Sequence, residues 1–108
     1  MTIPTAIVVG VGAEQGLGVA LCRRFSTGGY HVFVAGRTAS KIESVARAIV
    51  AAGGRAEPVE TNTINEGDVA RLFDRAMAPG GELAPADLIV YNAGNNRRLD
   101  FRDLSGTT

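Results

Sequence analysis

The sequence predicts an α/β fold: a doubly wound parallel sheet, of which this chain forms the N-terminal half with strand order 3-2-1-4. Three observations predict it. Four strand candidates alternate with three stretches of helical periodicity. The strand runs are close to continuously apolar, as expected of strands buried on both faces. Each helical stretch is followed by glycine, alone or beside proline, so the elements are short and sharply separated. Right-handed crossovers then place successive strands in the stated order.

The first strand is expected over Ala6–Val11, where Ala6-Ile7-Val8-Val9 is uniformly apolar. A helix follows from Gly16 to Thr27, with Leu17, Leu21 and Phe25 on one face, and Gly28-Gly29 stops it. His31-Val32-Phe33-Val34-Ala35 is the second strand. Ser40 is a candidate cap for the second helix, in which Ile42, Val45, Ala46, Ile49 and Val50 recur at helical spacing before Gly53-Gly54. A short third strand spans Ala56–Glu60. Asn65 can cap the third helix, with Val69, Leu72, Phe73 and Ala76 as its buried face and Pro79-Gly80-Gly81 as its break. Residues 79–86 read as a loop, and Leu88-Ile89-Val90-Tyr91 as the fourth strand. No domain boundary, repeat or low-complexity tract stands out.

The loop between the first strand and first helix carries the chemistry. Gly12, Gly16 and Gly18 give the spacing G-x-x-x-G-x-G. The commoner G-x-G-x-x-G would need glycine where Gln15 stands, and no glycine precedes Lys-Ser or Lys-Thr as in a P-loop. Gly12 suits the tight turn, Gly16 a close approach of backbone to phosphate, and Gly18 close helix–sheet packing. A strand, a glycine turn and a helix N-terminus make an anion site, because backbone N–H groups and the helix dipole both favour negative charge. The pyrophosphate of a dinucleotide is the expected ligand. A ligand-free glycine turn is the plain alternative.

Composition narrows the classes. The 108 residues carry no net charge, which gives no electrostatic case for nucleic acid or a membrane surface as partner. The single cysteine, Cys22, allows no intrachain disulfide and no cysteine-rich metal site, and is expected to pack in the core. No apolar run has membrane-spanning length and no leader pattern is seen, so a cytoplasmic location is expected. His31 is read as structural, and Arg23-Arg24 and Arg97-Arg98 as solvated pairs, with a minor substrate-side role open for the second. Glu14 is expected to point to solvent, away from the phosphates.

Three motifs in order resemble the short-chain dehydrogenases/reductases: Gly12-x-x-x-Gly16-x-Gly18, Gly36-Arg37 after the second strand, and Asn92-Ala93-Gly94 after the fourth. The resemblance covers the chain from Ala6 to about Ser105. It implies a Rossmann-type, single-domain oxidoreductase using NAD or NADP on a carbonyl or alcohol substrate, expected as a homo-oligomer. It assigns Gly12, Gln15, Gly16, Leu17 and Gly18 to the pyrophosphate side. Asn92, Ala93 and Gly94 fall beside the nicotinamide ribose, with Tyr91 in place of the family's first asparagine. Asn62 and Thr63 fall at the adenine, with Asn62 where the family often has aspartate. NADP is preferred over NAD. Gly36 stands where NAD-binding members place an acid, Arg37 can fork onto a 2′-phosphate, and Thr38 can add a hydroxyl.

The same resemblance places the family's catalytic serine, Tyr-x-x-x-Lys pair and helper asparagine beyond the region covered. Tyr30 and Tyr91 are followed four positions on by Val34 and Asn95, so neither begins that pair. No catalytic or metal-binding residue is therefore expected within these 108 residues, and the chain alone is expected to be inactive. The final residues read as a helix start capped by Ser105, as in a chain cut short of a longer parent. A non-catalytic nucleotide-binding or assembly module that pairs with another chain is the alternative. A methyltransferase ranks lower, because it would want an acid at Gly36-Arg37.

Overall fold

A computed structural model describes residues 2–11 and 16–91. Its elements are β1 (Ile3–Val9), α1 (Leu17–Thr27), β2 (His31–Gly36), α2 (Ala39–Ala51), β3 (Arg55–Glu60), α3 (Glu66–Met77) and β4 (Leu83–Tyr91). The four strands form one parallel sheet in the order β3-β2-β1-β4, as expected from the right-handed crossover rule. The architecture is an α/β Rossmann-type fold.

Alternation along the two central strands builds two cores. Val8, Val32 and Val34 face one way, onto Val19 and Cys22 of α1 and Ile42, Val45, Ala46 and Ile49 of α2. Ile7, Val9, Phe33 and Ala35 face the other way, onto Leu72 and Ala76 of α3 and onto Ala86. Successive side chains of a strand point to opposite faces, so a helix on each face buries every residue of a central strand. This is why residues 6–9 of β1 and 32–35 of β2 read as unbroken apolar runs.

Several expected boundaries are corrected. Strand β4 begins at Leu83, so residues 79–86 are not all loop. Ile3 pairs with Leu83, Thr5 with Ala86 and Ala6 with Leu88, an irregular register with two extra residues on β4. That bulge accommodates Pro85, which has no N–H for the ladder and so hides the strand from a sequence reading. Strand β1 correspondingly starts at Ile3 and ends at Val9 rather than spanning Ala6–Val11. Helix α1 turns Gly18, Val19 and Cys22 to the core. Leu21 and Phe25 are half-buried, and Leu17 is 64% exposed. Thr38, not Ser40, occupies the cap position of α2, and its side chain makes no capping bond. Val50 is exposed on α2 despite its spacing. Asn65 does cap α3, its side chain accepting from the Asp68 N–H at 3.1 Å.

One polar cluster ties α3 to the sheet. Arg75 forks onto Glu57 of β3 with two bonds of 2.8 Å and lies over the Phe33 ring. His31 packs edge-on against Phe33, with Nε2 3.8 Å from Glu57. Burial pushes the His31 pKa below its usual value; Glu57 acts against that, while Arg75 and Arg55 add to it. Cys22 is fully buried, and its thiol is pushed up to about 12 by that burial.

Candidate functional site at the carboxyl edge of the sheet

Because all four strands are parallel, their carboxyl ends lie along one edge of the sheet. Val9 is in register with Ala35 on one side and Tyr91 on the other, and Gly36 with Glu60. In open α/β sheets this edge, where the strand order reverses, is where ligands bind. Here the reversal falls between β1 and β4, the first strand on each side of the crossovers.

At the end of β1 the chain is held against β2. The Gly10 and Val11 N–H groups both donate to the Ala35 carbonyl at 2.9 Å. The path then reaches Gly16, extended at φ −83° and ψ 172°, as the cap residue of α1. Helix α1 has no acidic residue in its first turn and no side-chain cap at Gly16. Its opening N–H groups have no intrahelical acceptor. Helix α3 provides a contrast. Glu66, Asp68 and the Asn65 side chain supply its N-terminus with negative charge and an acceptor from the chain itself. The start of α1 is therefore the one of these two that suits an external anion. Leu17 exposes its side chain there, and Gly18 is buried, as close packing of helix on sheet requires.

At the end of β2, Gly36 is a point of close approach. A Cβ on it would collide with the Val11 carbonyl oxygen and come within 2.8 Å of Ile42 Cγ2. No side chain, acidic or otherwise, fits at this position without moving the start of the glycine loop. Arg37 and Thr38 follow, both exposed, and Lys41 lies in the first turn of α2. The cation Arg37 thus stands at the strand end with a bare glycine before it.

At the end of β3, Thr61 is buried and donates its N–H to the Gly36 carbonyl at 2.7 Å. This bond carries the β2–β3 ladder one residue past the strand. Asn62 and Thr63 follow in a turn, with Asn62 half-buried and Thr63 exposed. The Asn62 carboxamide oxygen accepts from the Ile64 N–H at 3.2 Å, and the Asn62 N–H donates to Asp68 Oδ2 at 2.9 Å.

The structure brings Gly16, Leu17, Gly18, Arg37, Thr38, Asn62 and Thr63 to one edge, as consecutive stations at the ends of β1, β2 and β3. Gly12, Gln15, Asn92, Ala93 and Gly94 lie outside the described residues, as do Glu14, the Arg97-Arg98 pair and Ser105. Two neighbours were not singled out by sequence reasoning. Glu60 places a carboxylate beside Gly36 in the register, and Asp68 holds the Asn62 turn. Glu60 is visible only once the strand register is known. Asp68 could have been suspected from Asn65-x-x-Asp68, a capping pattern with an acid at its third position. Among the described residues no group of three His, Cys, Asp or Glu could hold a metal ion. No helix among them is long and apolar enough to cross a membrane.

Comparison with known proteins agrees with this geometry. A family model described as short chain dehydrogenase matches residues 5–108. The chain is 42% identical over 88 residues to cis-4-hydroxycyclohexanecarboxylate dehydrogenase of Sinomonas cyclohexanicum, covering 82% of this chain and 34% of that protein. A hydroxysteroid dehydrogenase from Escherichia coli superimposes with a TM-score of 0.75 at 30% identity, covering 91% of this chain and 40% of that one. A metagenomic short-chain oxidoreductase solved in complex with NADP gives a TM-score of 0.69 at 29% identity, covering 82% of this chain and 38% of that one. The chain spans less than half the length of each of these proteins. The glycine spacing, the Gly36-Arg37 strand end, the 3-2-1-4 sheet and these likenesses converge, and the chain belongs to the short-chain dehydrogenase/reductase family.

Proposed function

We propose that this chain is the cofactor-binding part of an oxidoreductase that moves hydride between a nicotinamide dinucleotide and a carbonyl or alcohol. NADP is its preferred cofactor and NAD the alternative. The observation that carries the preference is the end of β2. Gly36 leaves no room for the acid that would accept from a ribose 2′-hydroxyl, and the exposed Arg37 follows it. A guanidinium there can fork onto a 2′-phosphate, with the Thr38 hydroxyl beside it. The uncapped start of α1 at Gly16 suits the pyrophosphate. The base then falls at the end of β3, against Asn62 and Thr63, and the Asn92-Ala93-Gly94 motif takes the nicotinamide ribose. When bound, the cofactor supplies the hydride.

The test is a fluorescence titration with NADPH and NADH. Arg37→Ala should weaken NADPH binding by about 1.5–3 kcal/mol, the value of a hydrogen bond to a charged group, and leave NADH nearly unchanged. Equal losses for both would refute the assignment of Arg37.

A second reading has its own observation. Among the described residues β4 pairs only with β1, and Ile89 and Tyr91 are about half exposed on it. An apolar strand with a free edge is a template for association, as in a non-catalytic module that pairs with another chain. Light scattering of the chain with and without NADPH separates the readings. Association that requires β4 but proceeds with no cofactor affinity would favour the module.

A further inference from the structure

Resting on that reading of the site, we propose that Asp68 is a positioning residue for the base end of the dinucleotide. It acts through Asn62 and touches no ligand itself. The strand order gives the direction along which the ligand runs. Pyrophosphate at β1 and the 2′-substituted ribose at β2 put the base at the next strand outward, β3. The chain leaves β3 through Thr61, anchored to Gly36, and immediately turns at Asn62.

Four hydrogen bonds define that turn, and Asp68 takes part in two of them. Its Oδ2 accepts the Asn62 N–H at 2.9 Å, six residues back in sequence. Its own N–H donates to the Asn65 side chain at 3.1 Å, the cap of α3. Within the loop, the Asn65 N–H donates to the Asn62 carbonyl at 2.9 Å, and the Ile64 N–H to the Asn62 carboxamide oxygen at 3.2 Å. The other Asp68 oxygen is held by Arg71. Asp68 is thus fixed from outside by Arg71 and from below by the helix cap, and it clamps the backbone of Asn62 from α3.

The clamp leaves the Asn62 side chain with defined free valences. Its oxygen has one lone pair committed to Ile64 and one unused, and its two amide hydrogens have no partner among these bonds. The unused lone pair can accept from the exocyclic amino group of adenine, while an amide hydrogen can donate to the adjacent ring nitrogen. Hypoxanthine presents a carbonyl and a ring N–H at those positions, the reverse pattern. The clamped turn therefore reads adenine against hypoxanthine. A loosened turn loses that discrimination before it loses the phosphate contacts at β1 and β2.

The experiment compares NADPH with reduced nicotinamide hypoxanthine dinucleotide phosphate by fluorescence titration of the full chain. The wild type should favour the adenine form by about three- to tenfold, the range of one net hydrogen bond. Asp68→Ala should bring the ratio to within about twofold by weakening the adenine form alone, and Asp68→Asn, which keeps an acceptor for the Asn62 N–H, should restore it. Equal weakening of both forms in Asp68→Ala would mark a merely structural role and overturn the proposal. So would an unchanged ratio, or a ratio in Asp68→Asn no better than in Asp68→Ala. If Asp68→Ala does not fold, Asp68→Ser, whose oxygen is one bond too short for Asn62, decides by the same ratio. A wild type that binds neither form overturns the dinucleotide reading itself, which is a different outcome from loss of discrimination.

Discussion

Replacing Gly36 by alanine tests whether the end of β2 is as closed as the structure shows. The added Cβ would strike the Val11 carbonyl oxygen and lie 2.8 Å from Ile42 Cγ2. Neither neighbour can retreat freely. Val11 is held by its N–H bond to Ala35, which Gly10 shares, and Ile42 is 1% exposed inside the α1–α2 core. Overpacking of about 1–3 kcal/mol and one lost hydrogen bond of about 1 kcal/mol sum to about 2–4 kcal/mol. With a urea slope of about 1 kcal/mol/M for a small domain, the unfolding midpoint should fall by about 2 M or more. Gly28→Ala is the matched control, since its Cβ would make only an ordinary 3.4 Å contact at φ −80°. Gly36→Asp should be worse than Gly36→Ala, so this single change should not create an NAD-preferring variant. A Gly36→Ala midpoint within about 0.5 M of wild type would show that the loop yields there, and the steric argument for the cofactor preference would fall.

Other outcomes follow from the same structure. Gly16 is extended, a conformation any residue adopts, so Gly16→Val should fold; NADPH affinity measured by fluorescence should nevertheless drop at least about tenfold, or about 1.4 kcal/mol. The folded-state pKa of His31 is lowered, so the unfolded chain binds its proton more readily. Stability from this group is complete above the unfolded value of about 6.5 and is lost as pH falls below it. Urea midpoints at neutral and mildly acidic pH should diverge less in His31→Gln than in wild type, and parallel shifts would contradict this. Cys22, buried and with its thiol pushed up to about 12, should resist alkylation at mildly alkaline pH in the folded chain and react fully in urea. Rapid labelling of the folded chain would show that α1 does not stay packed on the sheet.

Much of the fold was legible because central parallel strands carry their own signature. Val8, Val32 and Val34 face one pair of helices while Ile7, Phe33 and Ala35 face the third, so no polar residue interrupts residues 6–9 or 32–35. The cap at Asn65 was equally plain, because its side chain uses only local geometry. Edge structure was less legible. β4 starts behind Pro85 on an irregular register, and its first residues are recognised only by their pairing with Ile3 and Thr5. On α1, spacing assigns Leu17 to the core, whereas the structure leaves it exposed at the carboxyl edge. The residue types at Gly16, Arg37 and Asn62 are the part of the proposed nucleotide edge that can be read from sequence. The supports behind them, the Val11 carbonyl against Gly36 and the Asp68 clamp on Asn62, depend on contacts across elements that no local pattern encodes.

The most direct test of the central claim is a two-dimensional NMR titration of the isotopically labelled chain with NADP. Amide shifts are expected at the three strand ends together, at residues 16–18, 37–38 and 61–63. The opposite edge, around Arg23, Ser26 and Gly53, should stay silent. Shifts confined to that opposite edge, or shifts at α1 alone with Arg37 and Asn62 unmoved, would contradict it.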